Sequence, residues 1–179
     1  MKRIIFLLIG IFILSFGCSD DTLNTDSVLE EANFKYAKTD KVPIKGEVYI
    51  SVDEYDAQGL GVKGKMSGYF SHLGKLDETK STWENMSHDL TQYPLITFIQ
   101  DLVFCAANGD LLYGTYTGII DFTTLEANGS VLIESGTGRF ENASGQFTGN
   151  GYAWPDDFGR VEGMYLAGGG EISSVGSGK

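Results

Sequence analysis

Apolar and polar residues alternate along most of the chain from Gly46 onward, and this period of two predicts β-strands. In the segment 47–53, the side chains of Val48, Ile50 and Val52 would share one face. A period of two is typical of a half-buried strand, whereas an amphipathic helix repeats about every 3.6 residues. Further strands are predicted at residues 63–72, 95–106, 111–124, 131–133, 145–154 and 161–173. No convincing helical periodicity interrupts this series.

Turn signals and glycines indicate which β-fold the pattern favours. Asn108-Gly109 and Asn128-Gly129 predict tight turns, because both residue types tolerate a positive φ. Glycines also recur inside the predicted strands, where a residue without a Cβ lets a sheet bend sharply or coil closed. We therefore expect an all-β fold, a single antiparallel barrel of about eight strands that is closed or nearly closed. A sandwich is the alternative, but only barrel closure removes the edge strands.

The start of the chain has the pattern of a secretion signal. Lys2 and Arg3 precede an apolar run of 13 residues, Ile4 to Phe16. That run is shorter than the ~20 residues needed to span a bilayer, so it indicates a cleaved signal peptide. The segment from Leu14 to Cys18 resembles the lipobox of bacterial lipoproteins, although Ser15 stands where leucine is usual. An ordinary secretory signal followed by a chance cysteine is the alternative.

The lipobox resemblance implies a lipid anchor at Cys18. In lipoproteins the signal is cleaved before the cysteine, and the cysteine sulfur and the new amino group are acylated. Several acyl chains, such as palmitate, would hold the protein stably on a membrane. The next residues, Ser19 to Asp21, resemble the acidic export tag of surface lipoproteins of the Bacteroidota. This resemblance implies an outer-membrane protein that faces the cell surface, and a plain acidic linker is the alternative.

The chain is predicted to have three parts. They are a signal peptide at residues 1–17, the lipidated Cys18 with a polar tether up to residue 45, and one β-barrel domain at residues 46–179. The last part has the length of a single domain with one sizeable core. In the tether, residues 21–23 and 26–28 resemble O-glycan acceptor sites of the same bacterial group.

Charge narrows the range of partners. The whole chain has 24 acidic and 13 basic residues, a net charge of −11. Loss of Lys2 and Arg3 with the signal leaves 24 acidic against 11 basic residues, a net charge of −13. A basic patch is what phosphate contacts require, so this balance argues against nucleic acid as a partner.

A glycine-rich segment carries a second resemblance. Residues 136–145 contain Gly136, Gly138, Arg139, Phe140 and Gly145 and resemble a segment of the allene oxide cyclase and dirigent barrel superfamily. Residues 71–75 and 106–110 fit bacterial lipoproteins of that type. The resemblance implies a barrel in which this segment connects two strands and packs Phe140 under the barrel end. It also implies an oligomer, because dirigent-type barrels often form trimers. The catalytic residues of the plant enzymes have no match here, so their activity is not implied.

Few residues are candidates for catalysis. Glu134 lies on a predicted strand, and a carboxylate inside a barrel would have a raised pKa and could act as an acid or a base. Alternation places Glu134 on the same face as Leu132 and opposite Val131, but it does not say which face is inward. The histidines His72 and His88 lack the spacing of metal ligands. We therefore predict no cofactor and no metal.

Tyrosines are the candidates for ligand binding. Tyrosines that line one mouth of a barrel could stack on sugar or phenolic rings, since they combine an apolar body with a polar tip. Ordinary core or surface packing is the alternative. The candidates are Tyr69, Tyr113, Tyr116 and Tyr152.

Three functions remain open on the sequence. The favoured one is a surface lipoprotein whose barrel is a binding or interaction module for a small molecule or a glycan. The second is an isomerase- or cyclase-like enzyme that acts on a small apolar or phenolic substrate, and it depends on analogy between folds alone. The third is a structural envelope protein with a filled barrel, since an eight-stranded barrel is just wide enough for side chains or one small ligand.

Overall fold

The computed structural model describes residues 41–173. The predicted signal peptide, Cys18, the export tag and the glycan acceptor sites lie outside the described residues. The strands are β1 (Lys41–Tyr55), β2 (Gly61–Phe70), β3 (Gly74–Lys75), β4 (Thr82–Asp89), β5 (Leu95–Cys105), β6 (Leu111–Asp121), β7 (Glu126–Gly136), β8 (Gly145–Pro155) and β9 (Val161–Ser173). The one helical element among these residues is a single 3-10 turn, Gly138–Phe140.

The strands form one closed antiparallel barrel. Neighbouring strands pair in the order β1-β9-β8-β7-β6-β5-β4-β2, and β2 pairs again with β1 to close the ring. The two-residue strand β3 is an extra strand that pairs with the end of β2. The all-β barrel of about eight strands is therefore confirmed, and closure leaves few unpaired backbone edges.

Burial shows which face of each strand is inward. On β1 the side chains of Ile44, Val48 and Ile50 are buried, as the alternation of this segment predicts. On β7 the side chains of Val131 and Ile133 are buried, so the face shared by Leu132 and Glu134 is the outer one. The barrel thus has an apolar inner wall and a mixed outer wall, which is the pattern of an antiparallel sheet with one solvated face.

The strand and turn predictions fail at three places. Residues 41–45 belong to β1 rather than to the tether, and β4 was not predicted because its sequence is mostly polar around Trp83. The turn predicted at Asn128-Gly129 is wrong, because both residues lie inside β7. The chain turns earlier, at residues 122–125, where Leu125 has a φ of 61°. The turn at Asn108-Gly109 is confirmed.

Gly129 belongs to a row of glycines on the inner wall. Each glycine of the row pairs with the next across five neighbouring strands. The members are Gly46, Gly168, Gly149, Gly129 and Gly118. The Tyr116 ring lies against Gly118 and Gly129, and the Phe70 ring lies against Gly46, so a Cβ at these positions would collide with a ring. The missing side chains make room for large rings inside a narrow barrel.

The barrel has two different ends. One end carries the loops at residues 71–81, 106–110 and 137–144, and strand β1 begins there at Lys41. We call it the closed end. The other carries the loops at residues 56–60, 90–94, 122–125 and 156–160. We call it the mouth.

Candidate functional site

The glycine-rich segment seals the closed end. It connects β7 to β8, and Phe140 is 0% exposed. The Arg139 guanidinium lies over the Phe140 ring, 4.8 Å from its centroid. The Arg139 backbone N–H donates to an Asp110 carboxylate oxygen at 3.2 Å and so joins two loops. Hydrogen bonds from Arg139 and Asn108, with the charge of Arg139, hold the pKa of Asp110 below its usual value. This arrangement holds the end of the barrel shut.

Several buried polar groups of the closed end are paired, whereas Arg139 Nε is buried without a hydrogen bond, 3.8 Å from an Asp110 carboxylate oxygen. The Cys105 backbone N–H donates to the Ser81 hydroxyl oxygen at 2.9 Å, and both residues are fully buried. The hydroxyls of Ser144 and Ser173 lie 2.8 Å apart. His72 lies in the loop after β2 with a φ of 72°, and its Nε2 is 3.0 Å from the Pro43 carbonyl oxygen. These contacts are structural, because each joins chain segments that meet at this end.

The interior is almost filled. Phe70, Phe104 and Phe147 pack together with ring centroids 5.4 to 6.1 Å apart. Two small spaces remain, with volumes of about 40 and 30 Å³, and Gln100 and Tyr116 line both. A water molecule needs about 10–15 Å³, and a cavity known to accept benzene has about 150 Å³. These spaces therefore fit a few water molecules and no phenolic ring.

Tyr116 is the one sequence candidate inside the barrel. Its hydroxyl donates to the Asn128 carbonyl oxygen at 3.3 Å, and it pairs with Gln100 across β5 and β6. Burial raises the pKa of Tyr116 to about 12. Its ring therefore acts as part of the core, with its polar tip satisfied by the wall.

The mouth holds a large space next to the described residues. It is a cleft of about 490 Å³ that is open to solvent. Phe158 and Tyr93 are 84% and 70% exposed at its rim. Two polar side chains, Gln58 and Arg160, also face the cleft. The apolar lining comes from four loops and one strand: Leu60, Leu90, Tyr93, Ile96, Phe122 and Phe158.

Two loops of the mouth have the same construction. In one, an Asp56 carboxylate oxygen accepts the backbone N–H groups of Gln58 and Leu60, both at 2.9 Å. In the other, Asp156 accepts those of Phe158 and Arg160 at the same distance. A glycine with a positive φ, Gly59 or Gly159, completes each turn. An aspartate that binds its own loop fixes the backbone, so Leu60 and Phe158 are held in place before any ligand arrives.

The one guanidinium at the cleft is already paired. The Arg160 Nη2 lies 2.6 Å from an Asp156 oxygen, and the ring of Tyr55 lies 4.3 Å from the guanidinium carbon. Burial acts to raise the pKa of Asp156, but hydrogen bonds from Arg160 and Phe158 outweigh it, so the pKa is lowered. The charge of Arg160 is thereby neutralised, and the cleft is an apolar surface with polar edges.

The other sequence candidates lie on the outer wall. Glu134 is exposed there, and its carboxylate accepts the Thr115 hydroxyl at 3.1 Å. Its suggested role as an acid or a base assumed an interior position, which this placement does not provide. Tyr69, Tyr113 and Tyr152 also project outward. None of these residues lines the mouth.

The residues of the mouth were not singled out by sequence reasoning. A usable signal exists, because Tyr93 directly precedes Pro94 and Phe158 lies in a turn segment rich in Asp, Gly and Pro. Two largely exposed rings that border one cleft form a patch of the kind that marks a contact surface.

Within residues 41–173, no group of three His, Cys, Asp or Glu side chains comes together as metal ligands would. Nor does this part of the chain have a helix long and apolar enough to cross a membrane. A scan against protein-family models, a search of curated proteins and a search of solved structures each find no match.

Proposed function

We propose that the protein is a lipid-anchored surface protein whose barrel mouth binds a small apolar molecule. The observation that carries this proposal is the cleft of about 490 Å³ at the mouth. Binding sites for small molecules are clefts of about 300–1,000 Å³ with mostly apolar linings and a few polar groups, and barrel mouths are among their usual places. The cleft has this size, lining and position.

The choice of the mouth over the interior follows from volume. The spaces inside the barrel total far less than a ring-shaped ligand needs. Leu60, Gly59 and Phe122 border both the cleft and the larger interior space, so they separate the two. A ligand at the mouth would rest on Leu60, between the exposed rings of Tyr93 and Phe158.

The anchor and the mouth are compatible in this proposal. Strand β1 begins at the closed end, so the residues that follow Cys18 join the barrel at the end away from the mouth. Proteins held at a membrane by one end can present the opposite end to their surroundings.

Titration with the fluorescent apolar dye N-phenyl-1-naphthylamine tests the mouth. We expect the double variant Tyr93→Ser with Phe158→Ser to bind the dye about tenfold more weakly or worse, because two aromatic contacts are lost. The matched control is Leu132→Ser, which removes an exposed apolar side chain from the outer wall. No binding by the unmodified protein, or equal loss in the control, would contradict the proposal.

Metabolic labelling with an alkyne analogue of palmitate tests the anchor. We expect Cys18→Ser to abolish labelling, whereas Cys105→Ala keeps it because that thiol is fully buried in the barrel. Labelling that persists in Cys18→Ser would overturn the anchor assignment without affecting the mouth.

A structural envelope protein is the second candidate, because the filled interior favours it. A filled barrel needs no ligand to be stable. The dye titration separates the two, since a purely structural protein would not bind the dye at its mouth. The cyclase-like alternative requires a substrate held by the barrel; the mouth cleft of about 490 Å³ has the volume for one, and the interior spaces of about 40 and 30 Å³ do not.

A further inference from the structure

We propose that the outer wall carries a second binding surface, a row of tyrosines that binds neutral polysaccharide chains. The row consists of Tyr49 on β1, Tyr165 on β9 and Tyr152 on β8, and we call it the tyrosine row. Tyr49 is paired with Tyr165, and Tyr165 with Tyr152, so the three rings stand side by side across three strands. Their centroids are 5.0 and 5.6 Å apart.

The rings of the row are available to a ligand. Tyr49 is 48% exposed and Tyr152 is 55% exposed, although both are large side chains that gain by burial. Trp154 extends the aromatic surface, with its ring 6.3 Å from that of Tyr152. The Trp154 ring is set against Gly163, where a Cβ would lie only 2.7 Å from the Trp154 Cε2 atom. A contiguous exposed apolar patch of this kind on a solvated wall marks a contact surface.

Polar groups lie next to the rings. The Tyr165 hydroxyl donates to a Glu47 carboxylate oxygen at 3.0 Å. Asn150 lies two residues before Tyr152 on the same outer face of β8, and Glu126 is paired with Tyr152 from β7. The surface therefore combines ring faces with hydrogen-bonding groups at their edges. The hydroxyls and the amide supply both donors and acceptors, and the carboxylates are strong acceptors.

This combination matches the chemistry of sugar rings. A pyranose ring has C–H groups on its faces and hydroxyl groups around its edge. The C–H faces fit the electron-rich faces of aromatic rings, and the edge hydroxyls need donors and acceptors nearby. Neighbouring strands are about 4.8 Å apart, so the row offers one ring after another along a line across the strands. A chain of linked sugars is the ligand that such a repeated series fits.

The acidic groups beside the tyrosine row favour a neutral polysaccharide over an anionic one. Glu47 and Glu126 flank the row, and a cation, Lys65, is paired with Ser51, two residues beyond Tyr49 on β1. An anionic polymer would be repelled by these carboxylates and by the net charge of the protein, −11 for the whole chain. A second copy of the chain docked row against row would bring two sets of these carboxylates together, which is unfavourable. This inference is independent of the proposed function, because the row and the mouth share no residue.

Affinity electrophoresis in gels that contain a neutral polysaccharide tests the inference. The probes are dextran, mixed-linkage β-glucan and mannan, with dextran sulfate as the anionic comparison. We expect at least one neutral probe to retard the protein, and Tyr152→Ala to weaken that binding about tenfold or more, because it removes one of three adjacent rings. Tyr165→Phe keeps the ring and loses the bond to Glu47, so it should weaken binding less. Leu132→Ser is the matched control on the same wall and should keep full retardation.

Dye titration shows whether a substitution affects the tyrosine row, the mouth or both. Tyr152→Ala should bind N-phenyl-1-naphthylamine like the unmodified protein, and the double variant Tyr93→Ser with Phe158→Ser should keep its retardation by the neutral polysaccharide. No retardation by any of the three neutral probes, stronger retardation by dextran sulfate, or unchanged retardation of Tyr152→Ala would overturn the inference. So would a dimer in sedimentation equilibrium that Tyr152→Ala dissociates, because the row would then be covered by a second copy.

Discussion

At the closed end, connecting loops direct Leu73, Phe140 and Ala143 into the barrel, and all three are buried. At the mouth, shorter loops direct Tyr93 and Phe158 away from the barrel into solvent. Both ends use an aspartate to hold loop backbone in place. Asp110 does so at the closed end by accepting from another loop, whereas Asp156 binds only its own loop. The difference indicates that buried loop residues seal the closed end, whereas the exposed rings at the mouth are free to bind.

The strongest test of this difference is a pair of phenylalanine substitutions. Phe140→Ala should lower the free energy of unfolding by about 3–5 kcal/mol, because it leaves a cavity at the closed end. Phe158→Ala should change it by less than about 0.5 kcal/mol, because that ring is exposed. Urea denaturation measures both values. Similar losses in the two variants would show that the mouth also supports the fold.

Removing the Leu60 side chain, which lies between the cleft and the interior, should have the next largest effect on stability. Leu60→Ala removes the buried side chain that borders both the cleft and the interior space of about 40 Å³. We expect a loss of about 2–4 kcal/mol, together with tighter binding of N-phenyl-1-naphthylamine to the deepened cleft. Thermal unfolding and dye titration measure the two effects. Ile50→Val alters the same interior space without opening it and is the control. A loss of dye binding would show that Leu60 is itself the main contact.

Loss of a buried hydroxyl at the closed end should lower the free energy of unfolding by less than loss of the Phe140 ring. Ser81→Ala removes the acceptor for the Cys105 backbone N–H and leaves that donor buried. An unsatisfied buried donor costs about 1–3 kcal/mol. Ser87→Ala, at an exposed position of β4, is the matched control and should leave the free energy of unfolding unchanged. If both variants unfold at the same urea concentration, water has replaced the lost acceptor.

Acid should weaken the closed end by a smaller amount. The pKa of Asp110 is lowered in the folded protein, first by the hydrogen bond from Arg139, relative to its usual value of 3.8. The stability that Asp110 contributes is therefore present above pH 3.8 and is lost as the pH falls through the folded-state pKa below that value. Asp110→Asn should flatten this part of the stability curve, measured as the melting temperature at stepped pH. If the melting temperature of Asp110→Asn falls with decreasing pH as steeply as that of the unmodified protein, the role of this carboxylate is contradicted.

Local patterns predicted most of the barrel because inward and outward positions alternate along each strand. The segments around Val48 and Val131 show this alternation clearly, and only one face of each strand is apolar enough to be buried. The pattern was weak in β4, where Trp83 is the only fully buried apolar residue. It was misleading at Asn128-Gly129, since the same dipeptide makes a turn at Asn108-Gly109. Gly129 lies in a strand, where a glycine is needed because the Tyr116 ring from the neighbouring strand occupies the place of a side chain.

The sequence by itself determined the all-β class, the approximate number of strands, the role of the glycine-rich segment as a connection, and the expectation of an anchor at Cys18. Each of these depends on residues that are close together in the chain. The inward face, the filled interior, the mouth and the tyrosine row were decided only by the tertiary structure. The mouth takes side chains from four separate loops, and the row takes one tyrosine from each of three strands. Such groups come together only when the barrel closes and its register sets which residues are neighbours.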